Sequence, residues 1–383
     1  MPFDLKTALD ERAREGLLRQ RQILQSGQSR FIRLHDQSYL NFSSNDYLGL
    51  ASQPFLAKAW QEGLDRWGAG SGASPLVTGY TQAHADLEQT LAEWLGVEAV
   101  LLFSTGFAAN QAVIKALLQK DHIQYQDRLN HASLQEAGAH SPAKMLRFRH
   151  NDMAHLASLL QPQSGLIISE GVFSMDGDQA PCRQLADLAA QSGNWLMIDD
   201  AHGLGVLGAE GRGTLSHQHV PPDRVHIRMA TFGKALGTAG AFVGGSRKLI
   251  DYLVNFARDY VYSTHMPPAQ AYATSSAIEW VKQADSERAY LQSLIREFRA
   301  EAAELGLNVP ESETAIQPVI IGDAEQAVNT ANRLRSRGLW VSAIRPPTVP
   351  KGSARLRITL TAAHQQADIS LLLKELKECT TNA

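Results

Sequence analysis

Apolar and polar positions follow one another along this chain in three successive regimes. Over residues 4–25, Leu5, Ala8, Leu9, Ala13, Leu17 and Ile23 recur among charged residues at close to helical spacing, which predicts one amphipathic N-terminal helix. The stretch RFIRLHDQSYLNFSS then alternates around a turn at Asp36 and Gln37, a hairpin pattern. From about residue 48 to residue 278, short apolar runs are separated by helix-length segments. The clearest runs are AVLLF (99–103), GLIIS (165–169), NWLMI (194–198) and HIRMATF (226–232). Most lack the alternation of a half-exposed strand, so both faces are expected to be buried, as in a mostly parallel sheet covered by helices. After an amphipathic helical stretch at about 285–305, AIQPVIIG and ARLRITLT read as strands separated by the helix-length AEQAVNTANRLRSRG. The expected organisation is an N-terminal helix and hairpin over 1–47, a large α/β domain over 48–283, and a small αβ domain over 284–383 with which the hairpin packs.

Composition narrows the classes. At 383 residues the chain exceeds what one hydrophobic core usually serves. Hydrophobic residues at 44% and charged residues at 20% suit a soluble globular enzyme. A net charge of -3 offers no basic face for a polyanion, so nucleic acid is not an expected partner. Two cysteines, Cys182 and Cys379, are too few for a disulfide framework and point to a reducing compartment. The start MPFDLKTALDERAREG lacks a signal-peptide core, and the most apolar long window, AVLLFSTGFAANQAVIKALL, is interrupted by polar residues and cannot span a bilayer. A cytoplasmic protein with no membrane partner is expected.

In an open parallel sheet, ligands sit beyond the carboxyl ends of the strands. Here those ends are chemically distinct. AVLLF runs into Ser104, Thr105, Gly106 and Phe107 and then a helix-like segment; GLIIS runs into Glu170; NWLMI into Asp199, Asp200 and His202; HIRMATF into Lys234. They are expected to converge on one cleft.

Several tempting motifs fail on physical grounds. GLGVLG (203–208) is a literal G-x-G-x-x-G, yet AEGRGTLS after it carries no helical stripe, and Asp199 and Asp200 would repel a phosphate there. The glycines are expected to form a close-packed loop. His217 and His219 have no carboxylate or cysteine beside them to complete a metal site. No G-x-x-x-x-G-K-[ST] and no G-x-S-x-G occurs in the chain.

Lys234 stands among small residues in TFGKALGTAG. A lysine at a strand end ordinarily snorkels to the surface. Desolvated, it becomes a nucleophile toward an aldehyde, and a Schiff base with pyridoxal 5'-phosphate needs two further parts: a carboxylate at the ring nitrogen and a cradle for the phosphate. Asp199 suits the first, since a carboxylate in contact shifts a pKa by ~1–3 units toward the charged form. The amides of Gly106 and Phe107 at a helix start, with the Thr231 hydroxyl, suit the second. His202 follows Asp199 closely enough to reach the ring's phenolic oxygen, and His131 is a candidate to stack on the ring. The small residues around Lys234 are expected to let the chain approach a flat cofactor.

DDAHGLGVLGAEGRG followed by TFGKALG resembles the α-oxoamine synthases, pyridoxal phosphate enzymes of the aspartate aminotransferase fold (fold type I). These join an amino acid to an acyl coenzyme A with loss of carbon dioxide. NFSSNDYLGL, GFAANQAV, DRLNHASL, EGVFSMDGD, YSTHMPPAQA and AIRPPTVPKGSARLRITLTAAH extend the resemblance over residues 9–364. Within the family these blocks look most like the members that take L-alanine and a pimeloyl thioester, on coenzyme A or a carrier protein. The resemblance implies a homodimer with the site between subunits. It makes Lys234 the Schiff-base lysine, Asp199 the partner of the ring nitrogen, His202 that of the phenolic oxygen and His131 the stacking residue. Ser174 and Thr231 would contact the cofactor, with Gly106 and Phe107 at its phosphate end. Arg357 would hold the amino acid carboxylate, Asn45 would lie near the reacting groups, and Arg19 and Thr348 would face the acyl substrate. Ser74 and Pro75 stand where glycine-using relatives usually carry Thr and Arg, which disfavours glycine with an acetyl or succinyl thioester. Serine with a long acyl chain is a further alternative. A non-catalytic scaffold subunit would be expected to lack the lysine. The segment 220–228 is longer than the resemblance leads one to expect.

Overall fold

In a computed structural model that describes residues 3–381, the strands sort into three sheets. Strands β1 (Phe31–Leu34) and β2 (Gln37–Asn41) form the N-terminal hairpin. Seven strands form the central sheet: β3 (Ala99–Phe103), β4 (Ile123–Asp127), β5 (Lys144–Phe148), β6 (Gly165–Glu170), β7 (Trp195–Asp199), β8 (Ile227–Thr231) and β9 (Ala241–Gly245). Their order is β3-β9-β8-β7-β6-β4-β5, and β9 alone runs against its neighbours. Toward the C-terminus, β10 (Ile316–Gly322), β13 (Ala354–Thr359) and β12 (Ser342–Ile344) make an antiparallel sheet, and β11 (Leu339–Trp340) pairs in parallel with β2 of the hairpin.

Burial on both faces explains the unalternating strands. Leu166, Ile167 and Ile168 are all buried, and each contributes about 1.5–3 kcal/mol by leaving water. Two strands were invisible to that pattern for a specific reason. In β4, Gln124 and Gln126 are fully buried, and their carboxamides donate to the carbonyls of Gly138 and Leu134 at 2.9 and 3.0 Å in helix Ala132–His140. Buried polar groups are tolerated when so bonded. Gly138 is obligatory there, because a Cβ would stand 2.3 Å from Gln126 Nε2. In β5, an edge strand, only Phe148 is buried.

The N-terminal helix is shorter than its stripe suggests. It spans Leu5–Arg14 and buries no residue, with Leu5 and Leu9 exposed. Gly16 then takes a left-handed φ of +65°, which ends the helix, so Leu17 and Ile23 lie outside it. The hairpin turn also sits one residue earlier than the alternation indicates. His35 and Asp36 both have positive φ, as a two-residue turn with the twist of the flanking strands requires, and Leu34 pairs with Gln37. The glycines of 203–208 form turns, followed only by a 3-10 turn at Ala209–Gly211 and the four helical residues Thr214–His217, as expected of a packed loop. Residues 220–226 form a short turn at Pro222–Arg224 that leads into β8, with Arg224 on Asp187 and His226 stacked on Trp195. Among the described residues no helix is long and apolar enough to cross a membrane.

Candidate active site

The carboxyl ends of β3, β4, β6, β7 and β8 lie on one edge of the central sheet, and the residues just beyond them meet. Lys234 follows β8, and its Nζ lies 2.9 Å from His202 Nε2. Burial lowers the Lys234 pKa to about 8, against the opposing pull of Asp199 and Glu170. The amine therefore begins to lose its proton near pH 8, well below an ordinary lysine, and gives the form that attacks a carbonyl. The small residues beside it serve the protein's own packing. Gly237 has a φ of +66°, and a Cβ there would meet Ala51 N at 2.6 Å, while Ala235 packs where Gly205 admits no side chain. These two residues seat the lysine loop against the segments at 50–51 and 205, while a Cβ on Gly233, just before Lys234, would meet nothing nearer than 3.5 Å.

His202 is buried between Lys234 and Tyr47, whose hydroxyl lies 2.5 Å from Nδ1. Burial, then the charges of Lys234 and Arg357, hold its pKa well below the usual imidazole range. Tyr47 is itself pushed up to about 12 by burial and stays a phenol. Asp199, at the end of β7, accepts from Ala201 N at 3.1 Å and from Asn110 Nδ2 at 2.9 Å. Its neighbour across the ladder is Glu170, buried, with Oε1 lacking a hydrogen bond among the described residues. Burial and then Asp199 raise the Glu170 pKa well above the carboxylate range, which favours its neutral, protonated form beside Asp199.

The loop after β7 is held by a second carboxylate. Asp200 is fully buried and accepts from Thr214 N and Oγ1 at 2.9 and 2.6 Å. Gly203 and Gly213 are required beside it, since a Cβ on either would stand about 2 Å from an Asp200 oxygen.

At the end of β3, Thr105 caps helix Gly106–Leu117, its Oγ1 accepting from Ala108 N. The first intrahelical bond runs from Ala109 N to Thr105 O, which leaves the Gly106 and Phe107 amides ahead of it as donors for an anion. Thr231 Cγ2 lies 2.6 Å from where a Gly106 Cβ would be, and Thr231 Oγ1 is buried without a hydrogen bond among the described residues. Glycine here and a spare hydroxyl beside it suit an oxyanion group.

His131 follows β4 and caps helix Ala132–His140, its Nδ1 accepting from Ser133 N at 3.2 Å. The ring is held below its ordinary pKa by burial. Arg357, on β13, reaches over from the C-terminal sheet: Nε donates to Ser174 O at 2.6 Å, and the two terminal nitrogens to Thr359 Oγ1 at 3.0 Å and Asn45 Oδ1 at 3.2 Å. Ser174 thus enters through its carbonyl. Its loop is clamped by Arg355 on Asp176 and by His150, which bridges Asp127 Oδ1 at 3.0 Å and Asp178 Oδ2 at 2.7 Å. Arg19 and Thr348 line a separate cavity of about 240 Å³ together with Arg12, Leu17 and Arg345. Ser74 and Pro75 open the turn Pro75–Gly79, beside Ala73, whose carbonyl accepts from His265 N.

Tyr47 and Asn110 escaped the sequence reading. Both stand in motifs already noted, NDYLGL and GFAANQAV, and Asn110 follows Gly106 by four, one helical turn, which is the signal that could have found it.

The chain matches the family described as aminotransferase class I and II over residues 37–376. It is 63% identical over 382 residues to the 8-amino-7-oxononanoate synthase of Aeromonas salmonicida, covering 100% of this chain and 96% of that one. With the enzyme of the same name from Serratia proteamaculans the identity is 52% over 377 residues, 98% of each chain. Among solved structures, the serine palmitoyltransferase of S. paucimobilis with a bound PLP-myriocin aldimine superposes with a TM-score of 0.93 at 27% identity, covering 100% of this chain and 98% of that one. The 8-amino-7-oxononanoate synthase of Francisella tularensis superposes with a TM-score of 0.81 at 28% identity, covering 90% and 98%.

Proposed function

The chain belongs to the class I and II aminotransferase family, and from that premise we propose that it is a pyridoxal phosphate-dependent 8-amino-7-oxononanoate synthase. It condenses L-alanine with a pimeloyl thioester, on coenzyme A or a carrier protein, and yields 8-amino-7-oxononanoate, carbon dioxide and the free thiol, a step of biotin biosynthesis. The observation that carries this reading is the 63% identity to a synthase of that name over the whole chain. The higher TM-scores to serine palmitoyltransferases accompany only 27% identity and support the fold rather than the substrate.

The residues fit the cofactor. Among the described residues Thr231 Oγ1 has no hydrogen-bond partner and is buried beside the Gly106 and Phe107 amides, as a phosphate seat requires. Asp199 is a buried carboxylate whose neighbour Glu170 favours its protonated form, which suits a protonated ring nitrogen. Lys234, with its pKa near 8, is the amine that would hold the aldehyde carbon. When bound, pyridoxal phosphate supplies the electron sink for the carbanion formed at the amino acid's Cα.

The chain's own residues set the rest. Arg357 takes the alanine carboxylate, with Asn45 beside it. The Lys234 amine would take the Cα proton, and its low pKa suits it to act as a base. His202, neutral and anchored by Tyr47, offers a hydrogen bond beside that amine. His131 would cover the cofactor face, and Ser174 would contact the cofactor. Arg19 and Thr348, in their own cavity, face the acyl chain. The working unit is a cytoplasmic homodimer with the site between subunits, where Cys182 and Cys379 stay reduced. Its chain divides into an N-terminal segment 1–47, a large domain 48–283 and a small domain 284–383.

The test is a substrate matrix: L-alanine, glycine and L-serine, each against pimeloyl, acetyl, succinyl and long-chain acyl thioesters. Alanine with the pimeloyl thioester is expected to give the highest kcat/KM. A preference for glycine or serine overturns the assignment, and no turnover with any pair favours a scaffold subunit.

A further inference from the structure

We infer that Asn110 is a positioning residue for this reaction: its carboxamide fixes the Asp199 carboxylate and ties it, through Ser133, to His131. Asn110 is 1% exposed, four residues along the helix that begins at Gly106. Its Nδ2 lies 2.9 Å from Asp199 Oδ2 and 2.9 Å from Ser133 Oγ. An amide nitrogen carries two hydrogens and accepts none, so both contacts are donations. The reversed amide would turn Oδ1 against the carboxylate, so only one orientation is compatible with Asp199.

The direction of the next bond follows. Ser133 Oγ, having accepted from Asn110, keeps one hydrogen, and His131 Nδ1 lies 2.8 Å away. The Ser133 backbone N–H donates to the same nitrogen at 3.2 Å. Nδ1 therefore accepts twice and carries no proton, which makes His131 a neutral ring with its hydrogen on Nε2. Burial favours the same neutral form. At the other end, Asp199 has each oxygen engaged, one by Asn110 and one by Ala201 N, so it cannot rotate without breaking a bond.

A space-filling role would not need an amide. Asn110 Oδ1 is buried with no hydrogen bond among the described residues, a cost that an apolar side chain of the same shape avoids. What the amide gains in exchange is its pair of donations. One residue thereby links three parts assigned to the cofactor: the phosphate-end helix on which it sits, the ring-nitrogen partner Asp199, and the stacking His131.

The inference rests on the proposed reading of Asp199 and His131, and the test separates the two. Full-length parent, Asn110→Leu and Asn110→Ser are prepared as apoproteins, checked for folding by circular dichroism, and titrated with pyridoxal phosphate carrying a ¹⁵N-labelled ring. Leu keeps the shape and removes both donors; Ser is small and polar, and guards against misfolding of the first variant. The expected result is cofactor affinity at least about tenfold weaker in each folded variant, as for loss of a hydrogen bond to a charged group. The ring nitrogen is also expected to lose its proton at lower pH than in the parent, which a merely structural role would not cause. Parent-like affinity and parent-like ¹⁵N titration in a folded variant overturn the inference, even if its thermal stability is reduced. Failure of the parent itself to take up the cofactor overturns the underlying reading instead.

Discussion

Lys234 Nζ and His202 Nε2 stand 2.9 Å apart, and both bases are held toward their neutral forms by burial. Two groups whose charged forms are disfavoured together make an unusual pair in a protein interior. They share one hydrogen bond in place of an ion pair, and the amine gives up its proton near pH 8.

The amine's reactivity is therefore expected to switch on near pH 8. Its folded pKa lies below the ordinary lysine value of 10.5, so between these limits the unfolded chain holds a proton that the folded one has released. Apoprotein stability should rise with pH across that window. The rate of pyridoxal phosphate uptake by apoprotein, followed against pH, should show a midpoint near 8 that vanishes in Lys234→Ala. The same variant should lose all turnover, and a midpoint near 10.5 in the parent would contradict the burial argument.

Tyr47→Phe should lower kcat/KM about tenfold, the equivalent of one net hydrogen bond of ~1.4 kcal/mol. The hydroxyl that holds His202 Nδ1 is lost while the buried ring stays in place. Steady-state kinetics with alanine and a pimeloyl thioester would detect it, and an unchanged kcat/KM would remove His202 orientation from the account.

Arg357→Lys should raise the KM for alanine by about tenfold or more, with cofactor affinity unaltered. The guanidinium uses three nitrogens on Ser174 O, Thr359 Oγ1 and Asn45 Oδ1, a fork that an ammonium cannot reproduce. An effect on kcat alone would place Arg357 elsewhere in the reaction.

Gly106→Ala should weaken cofactor binding and destabilise the protein by ~1–3 kcal/mol through overpacking, because the added methyl meets Thr231 Cγ2 at 2.6 Å. Thermal melts with and without pyridoxal phosphate separate the two effects. A parent-like cofactor-induced rise in Tm would show that the Gly106 cradle does not serve the phosphate.

His150 offers a check on the loop that carries Ser174. Burial alone would depress its pKa, but Asp127 and Asp178 raise it to about 10. The raised value means that its charge stabilises the fold fully below the ordinary pKa of 6.5, and that this contribution fades as the pH passes 10. His150→Gln should lower Tm at pH 7, with the gap to the parent closing above pH 10. A gap independent of pH would assign the effect to packing on Phe173.

The chemistry at the strand ends was legible because residue type and order suffice there. Asp199 and His202 end one apolar run, Lys234 follows the next, Gly106 opens a helix, and parallel strands must deliver their carboxyl ends to one edge. The strands that broke the pattern, β4 with its buried glutamines and the edge strand β5, could not be read, because a polar residue is buried only if a distant carbonyl answers it. The stripe of the N-terminal helix misled for the opposite reason, since periodicity marks an apolar face without supplying anything to cover it. Residue identity along the chain thus determined the sheet, the lysine and its carboxylate. Tertiary structure alone decided that Tyr47 anchors His202, that Arg357 crosses from another sheet to Asn45 and Ser174, and that Asn110 spans Asp199 and Ser133. These partners are separated by 23 to 312 positions, and a hydrogen bond of 3 Å leaves no trace in sequence spacing at that range.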